Sequence, residues 1–239
     1  MFTKSFLLVL GALFILQVSA QGAGRTQNVP DTQWANVQKW MQKTIDALKN
    51  SENKITASIN EVTKTENAKI DQTRNNIKSD IQKEVDKLQK QADQAKVDIK
   101  DCLKDVSDGG DSFANSLLQG ATQCVTDENN KAKKIVSSEE ELVKEVSATW
   151  QDAKKKWDDC HSSSNVVLCR GQVVADAGRK EADYGKQQAQ LETEAATSVD
   201  NLQQNIDSCV TSKTSSVPGQ LTSKISAMEQ CVKKKIGNN

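Results

Sequence analysis

Proline is nearly absent. Pro30 and Pro218 are the two in 239 residues. A proline ring removes a helical hydrogen bond and clashes with the preceding turn, so this chain leaves long helices free to run. Glycine is missing from Asp31 to Asp108. Aromatic residues make up 4% and hydrophobic residues 36%. Such thin apolar content excludes a thick α/β core and suits slender helical packing. No Asn-x-Ser/Thr sequon occurs, so N-glycosylation is not expected. Phosphate-loop, dinucleotide, zinc-protease and calcium-loop patterns are also missing. An excess of either charge is missing too: 32 basic residues stand against 32 acidic ones. That balance argues against a nucleic-acid partner, which needs a basic field.

What is present begins with a secretion pattern. Lys4 precedes the short apolar run Phe6 to Val18, and Val18-Ser19-Ala20 offers small residues for cleavage after Ala20. Residues 1–20 are read as a signal peptide, 21–30 as a flexible start, and 31–239 as a single elongated helical domain. Loss of Lys4 leaves the mature chain at a net charge of −1. Nothing after residue 20 is apolar enough to span a bilayer, so a secreted, extracellular and soluble protein is expected, with no transmembrane segment.

The helices are expected at about 31–49, 54–106, 112–160, 166–212 and 220–236. Asn50-Ser51-Glu52-Asn53, a cluster of weak helix formers, marks an expected break. The 54–106 segment repeats every eleven residues. One row is Ile55, Glu66, Ile77, Leu88, Ile99; another is Ile59, Ile70, Ile81, Ala92, Leu103; a third is Val62, Thr73, Glu84, Ala95, Val106. That period belongs to nearly straight packing rather than a left-handed heptad coil. Asp111 or Ser112 is expected to cap the next helix after Asp108-Gly109-Gly110, and a kink is expected within 126–138. Turns near 109, 163 and 217 then give an all-α, elongated, antiparallel up-down bundle, coiled-coil-like and disulfide-stapled, with the last short helix coming back down.

Six cysteines in a secreted chain imply three disulfides. Cys102 and Cys124 are 22 residues apart, as are Cys209 and Cys231, and the flanking residues repeat. The up-down register puts these four in one layer and leaves Cys160 to pair with Cys169. Of the three connectivities left, local pairing of Cys102 with Cys124 and Cys209 with Cys231 is the simplest. In the 160/169 hairpin, Trp150 and Trp157 are expected to fill gaps in the ladder Gly171, Ala175, Gly178, Ala182, Gly185, Ala189, Ala196, with Arg179 over Trp150. An ordinary helix separation there would instead assign the ladder to another partner, such as a second chain in a homo-oligomer.

Chemistry is sparse. His161 neighbours Asp158, Asp159 and Ser162 to Ser164, but consecutive residues at a hairpin tip do not build a triad. Cys160, His161 and Cys169 lack a fourth zinc ligand. Lys154 to Lys156 and Lys131, Lys133 and Lys134 read as solvated helix faces. Trp34 and Trp40, six residues apart, lie on different sides of their helix, so one is expected to be exposed. No catalytic, cofactor-binding or metal-binding residue is assigned, and no enzyme activity is expected.

The signal peptide, the aromatic-poor amphipathic helices and Cys102, Cys124, Cys160, Cys169, Cys209 and Cys231 resemble insect secreted proteins of the tsetse EP type over roughly 95–235. The resemblance implies an extracellular protein of gut, haemolymph or secretions, linked to immunity or host–microbe contact and without catalysis. The expected role is a secreted interaction or structural protein whose partner is a protein or a microbial surface. The alternative is an amphipathic lipid carrier similar to exchangeable apolipoproteins.

Overall fold

The computed structural model describes residues 29–237 and is all-α. The signal peptide and most of the flexible start lie outside the described residues. Five helices follow in order: α1 (Val29–Ala95), α2 (Lys100–Leu103), α3 (Asp111–Asp159), α4 (Val166–Thr214) and α5 (Val217–Gly237). A 3-10 turn (Lys104–Val106) follows α2, and another (Cys160–Ser162) follows α3.

The break expected at Asn50–Asn53 does not occur. α1 runs through it as one helix of 67 residues, about 100 Å long at 1.5 Å per residue. The eleven-residue rows explain why. Extended backward, one row reads Val37, Leu48, Ile59, Ile70, Ile81, Ala92, and the other reads Thr44, Ile55, Glu66, Ile77, Leu88, Ile99; every member is buried. Their phase is unbroken across Asn50–Asn53, so only a continuous helix keeps both rows against the same neighbours. A few tenths of a kcal/mol of poor propensity at each weak former cannot outweigh that burial.

The real end of α1 falls at Lys96, within the span expected to be helical. Lys96 takes φ 55°. Its N–H bonds the Asp93 carbonyl at 3.2 Å, and the Val97 N–H bonds the Ala92 carbonyl at 2.9 Å, the pattern of a Schellman cap. Asp98 Oδ1 then accepts from the Lys100 N–H at 2.9 Å, and the chain heads back. Before α3, the cap comes from Asp108 rather than Asp111 or Ser112. Its carboxylate accepts from the N–H of Gly110 at 3.1 Å and of Ser112 at 2.9 Å. These bonds, the Ser112 hydroxyl first, hold the Asp108 carboxyl below its usual range. Gly110, at φ 81°, leaves a Cβ no room: it would lie 3.0 Å from Ile81 Cγ2. α3 continues as one helix through 126–138.

The register between arms defines the architecture. Pairs between α1 and the last arm keep a nearly constant sequence separation: 139 for Asp31–Arg170, 137 for Glu66–Gln203, 138 for Lys69–Asp207 and 142 for Lys87–Glu229. α4 and α5 therefore both run parallel to α1. The turn at Ser215-Ser216 bends the last arm without reversing it, and α5 packs on α1 and α2 instead of coming back down. Residues 100–159 form the single antiparallel arm: Thr63 meets Asn129 and Lys78 meets Asp111. The result is a three-armed bundle with a hairpin tip at 160–169.

That register sets the disulfides. Cys160 joins Cys169, Cys102 joins Cys231, and Cys124 joins Cys209, with Cα separations of 5.7, 5.6 and 5.8 Å. The local loops Cys102–Cys124 and Cys209–Cys231 are not formed. Because α5 continues outward, each 22-residue interval lies along one arm, about 33 Å if wholly helical, far beyond disulfide reach. The four cysteines form two rungs, not one layer. All three disulfides tie the middle arm to the last. α1 carries no cysteine and is held against the other arms by packing, hydrogen bonds and ion pairs, with no disulfide.

Candidate functional site

Three places concentrate unusual residues: the tip, a groove beside the middle disulfide, and two polar layers inside the bundle. At the tip, Trp34 of α1 is sandwiched between Trp150 and Trp157, with ring centroids 4.9 and 4.6 Å away. The Arg170 guanidinium caps the stack 4.6 Å from the Trp157 ring and pairs with Asp31 at 3.1 Å. The tryptophans therefore do not fill gaps in the small-residue ladder. They turn toward α1, because α4 offers α3 a different face, Val173, Ala177 and Tyr184, which is buried. A Cβ built on Gly171, Gly178 or Gly185 would meet nothing within 4 Å, and Ala175, Ala182, Ala189 and Ala196 are exposed. The ladder faces outward. Arg179 pairs with Asp176 rather than covering Trp150. Trp34 and Trp40 are both half-buried.

His161 is exposed at this tip, its ring 3.2 Å from Arg170 Nη2. The neighbouring Val167 and Leu168 are exposed too, at 43% and 60%. Lys154, Lys155 and Lys156 are solvated, and Lys156 pairs with Asp152 at 2.7 Å. Lys131, Lys133, Lys134 and Lys213 line an open groove beside Cys124–Cys209 together with Asp127 and Glu128. Lys131 is already paired with Glu128 at 2.5 Å. Mixed charge in a shallow groove does not define an anion site. Among the described residues, no group of three or more His, Cys, Asp or Glu is arranged to hold a metal ion. No described helix is long and apolar enough to cross a membrane.

The interior layers are the more telling feature. Glu66 sits in an apolar row of α1 with no exposure. Its Oε1 accepts from Lys69 Nζ at 2.7 Å and from Gln203 Nε2 at 2.7 Å. Asp207 accepts from the same two groups at 2.9 and 2.8 Å, closing a four-residue ring. Glu66, then Asp207, holds the Lys69 ammonium above the usual lysine range. Gln203, then Lys69, holds the Asp207 carboxyl below its own. One helical turn nearer the tip, buried Asn129 donates to Thr63 Oγ1 at 2.6 Å.

Glu139 of α3 is different. It is equally buried, yet neither carboxyl oxygen has a hydrogen-bond partner. Burial pushes its pKa upward; the Ser51 hydroxyl opposes part of the shift, and Glu52 and Glu192 add to it. Sequence reasoning passed over Glu139, though a signal was present. Leu118, Val125, Ala132, Glu139, Val146, Ala153 and Cys160 stand at seven-residue steps, and this row is buried throughout.

Comparison with protein-family models, with curated proteins and with solved structures finds no match, so function is argued from the chain's own residues.

Proposed function

We propose that this chain is a secreted, non-enzymatic helical protein that works as an interaction or structural rod outside the cell, in immunity or host–microbe contact. The observation that carries the reading is the ladder of three disulfides between two antiparallel arms. Such bonds persist in oxidising compartments. Stapling at separate levels favours a long exposed surface over an enclosed pocket. The test is capture of partners from the native secretion on the immobilised, oxidised protein, beside a reduced and alkylated control. Specific partners retained by the oxidised form alone support the reading. A hydrolytic activity lost in His161→Ala would sink it.

A second reading, the amphipathic lipid carrier, is favoured by one observation: α1 has two largely apolar rows and no disulfide to its neighbours. A carrier opens its bundle to lay apolar faces on lipid. Flotation with phosphatidylcholine and phosphatidylglycerol vesicles separates the two readings. Co-flotation with a blue shift of tryptophan emission favours the carrier; protein left at the bottom of the gradient favours the rod.

A further inference from the structure

Glu139 holds a position that the pattern of α3 reserves for an apolar side chain. It lies where two hydrophobic clusters meet. On the tip side are Leu48 and Leu142; on the far side are Ile55 and the half-buried Ile135. α1 faces it with Ser51 and the half-buried Glu52, and α4 faces it with Glu192. The charges acting on it are both negative, and no lysine or arginine offsets them. The contrast with Glu66 is direct: the same burial there comes with Lys69 and Gln203 at 2.7 Å. A buried carboxylate with no counter-charge, and only the Ser51 hydroxyl to offset its burial, is disfavoured, so Glu139 gives up its proton less readily than an ordinary glutamate.

The element that closes over this carboxyl is the one the disulfides leave free. A shift of α1 away from Glu139 breaks no disulfide, whereas α3 and α4 are tied to each other. We propose that Glu139 is a proton-operated latch on α1: the protonated carboxyl lets the Val37–Ile55 stretch stay seated, and loss of the proton loosens that stretch from the stapled α3–α4 pair. The proton passes to solvent, and the resulting anion is relieved by hydration and by distance from Glu52.

The direction follows from linkage. The carboxyl is harder to ionise in the closed bundle than in the open one. The closed form is therefore fully favoured below the ordinary glutamate pKa of about 4.3, loses ground as pH rises through the raised value, and loses no more above it. Within that window one proton is released per opening. The closed-to-open ratio then falls by up to about tenfold per pH unit.

Hydrogen exchange on the intact, oxidised protein reads this out. Protection of peptides covering 37–58, corrected for intrinsic exchange, should fall by up to about tenfold per unit and then level off, while peptides beside Cys124, Cys160, Cys169 and Cys209 hold theirs. Tryptophan emission should change over the same range, because the half-buried Trp40 lies on the loosened stretch. In Glu139→Gln both signals should be flat with pH. Glu139→Leu, which restores the apolar row, should be flat as well and does not depend on the amide being tolerated. The proposal is overturned if either variant keeps the wild-type pH profile, or if all three arms lose protection together. An ordinary glutamate titration of Glu139 by carboxyl 13C NMR overturns it independently.

Discussion

The rungs can be removed one at a time, as Cys102→Ser/Cys231→Ser, Cys124→Ser/Cys209→Ser and Cys160→Ser/Cys169→Ser. The bonds are nested: sequence separations of 129, 85 and 9 enclose one another. Each must therefore be weighed with the others in place. With the middle rung kept, the outer one closes a loop of about 44 residues and contributes about 4 kcal/mol. Removing the middle rung fuses that loop with one of about 76 residues, a loss of about 3.5 kcal/mol. The tip bond closes the shortest loop and contributes about 2.5 kcal/mol. Guanidinium melts of the three double variants measure the differences, after non-reducing peptide maps have established the surviving pairs. If the tip variant is the least stable of the three, the nested-loop reasoning fails. If the map joins Cys102 to Cys124, the parallel course of α4 and α5 fails with it.

Trp34→Ala removes the centre of the aromatic stack and should destabilise α1 by about 2–4 kcal/mol, given partial burial and two ring pairs; denaturant melts followed by tryptophan emission check this. Lys96→Gly relieves a left-handed backbone at a non-glycine residue and should stabilise by about 1 kcal/mol, raising the denaturation midpoint. Gly110→Ala meets both a positive φ and the Ile81 side chain and should lower stability by about 2 kcal/mol, read from the same melts.

The helical class was legible because periodicity reports burial directly. The eleven-residue rows in 54–106 placed Ile55, Glu66, Ile77, Leu88 and Ile99 on one face, and all are buried. The break at Asn50 was misread because local propensity was weighed without carrying the rows back to Val37. The turn expected near 217 is not a reversal: proline is well tolerated in the first turn of a helix, and α5 simply begins at Val217 with Pro218 behind it. The equal 22-residue intervals were visible but read as two local loops. Two rungs between antiparallel arms require equal intervals along both, and that is the geometry found. The outward face of the Gly/Ala ladder was not legible, since small residues pack closely in some bundles and merely lie on the surface in others. Glu139 needed the seven-residue row of α3 to be traced through a charged residue.

The nested rungs have a consequence for proteolysis. A single cut anywhere from Cys102 to Cys231 leaves the pieces covalently joined. A single cut after Lys96 breaks no disulfide and separates α1 from the rest of the molecule. Lys96 also sits on an exposed, left-handed turn, where a trypsin-like protease finds its preferred residue on bent backbone. One hydrolysed bond between Lys96 and Cys102 would thus turn the protein into a stapled two-armed hairpin and a free amphipathic helix, a conversion that neither reduction nor a single cut within the stapled arms achieves.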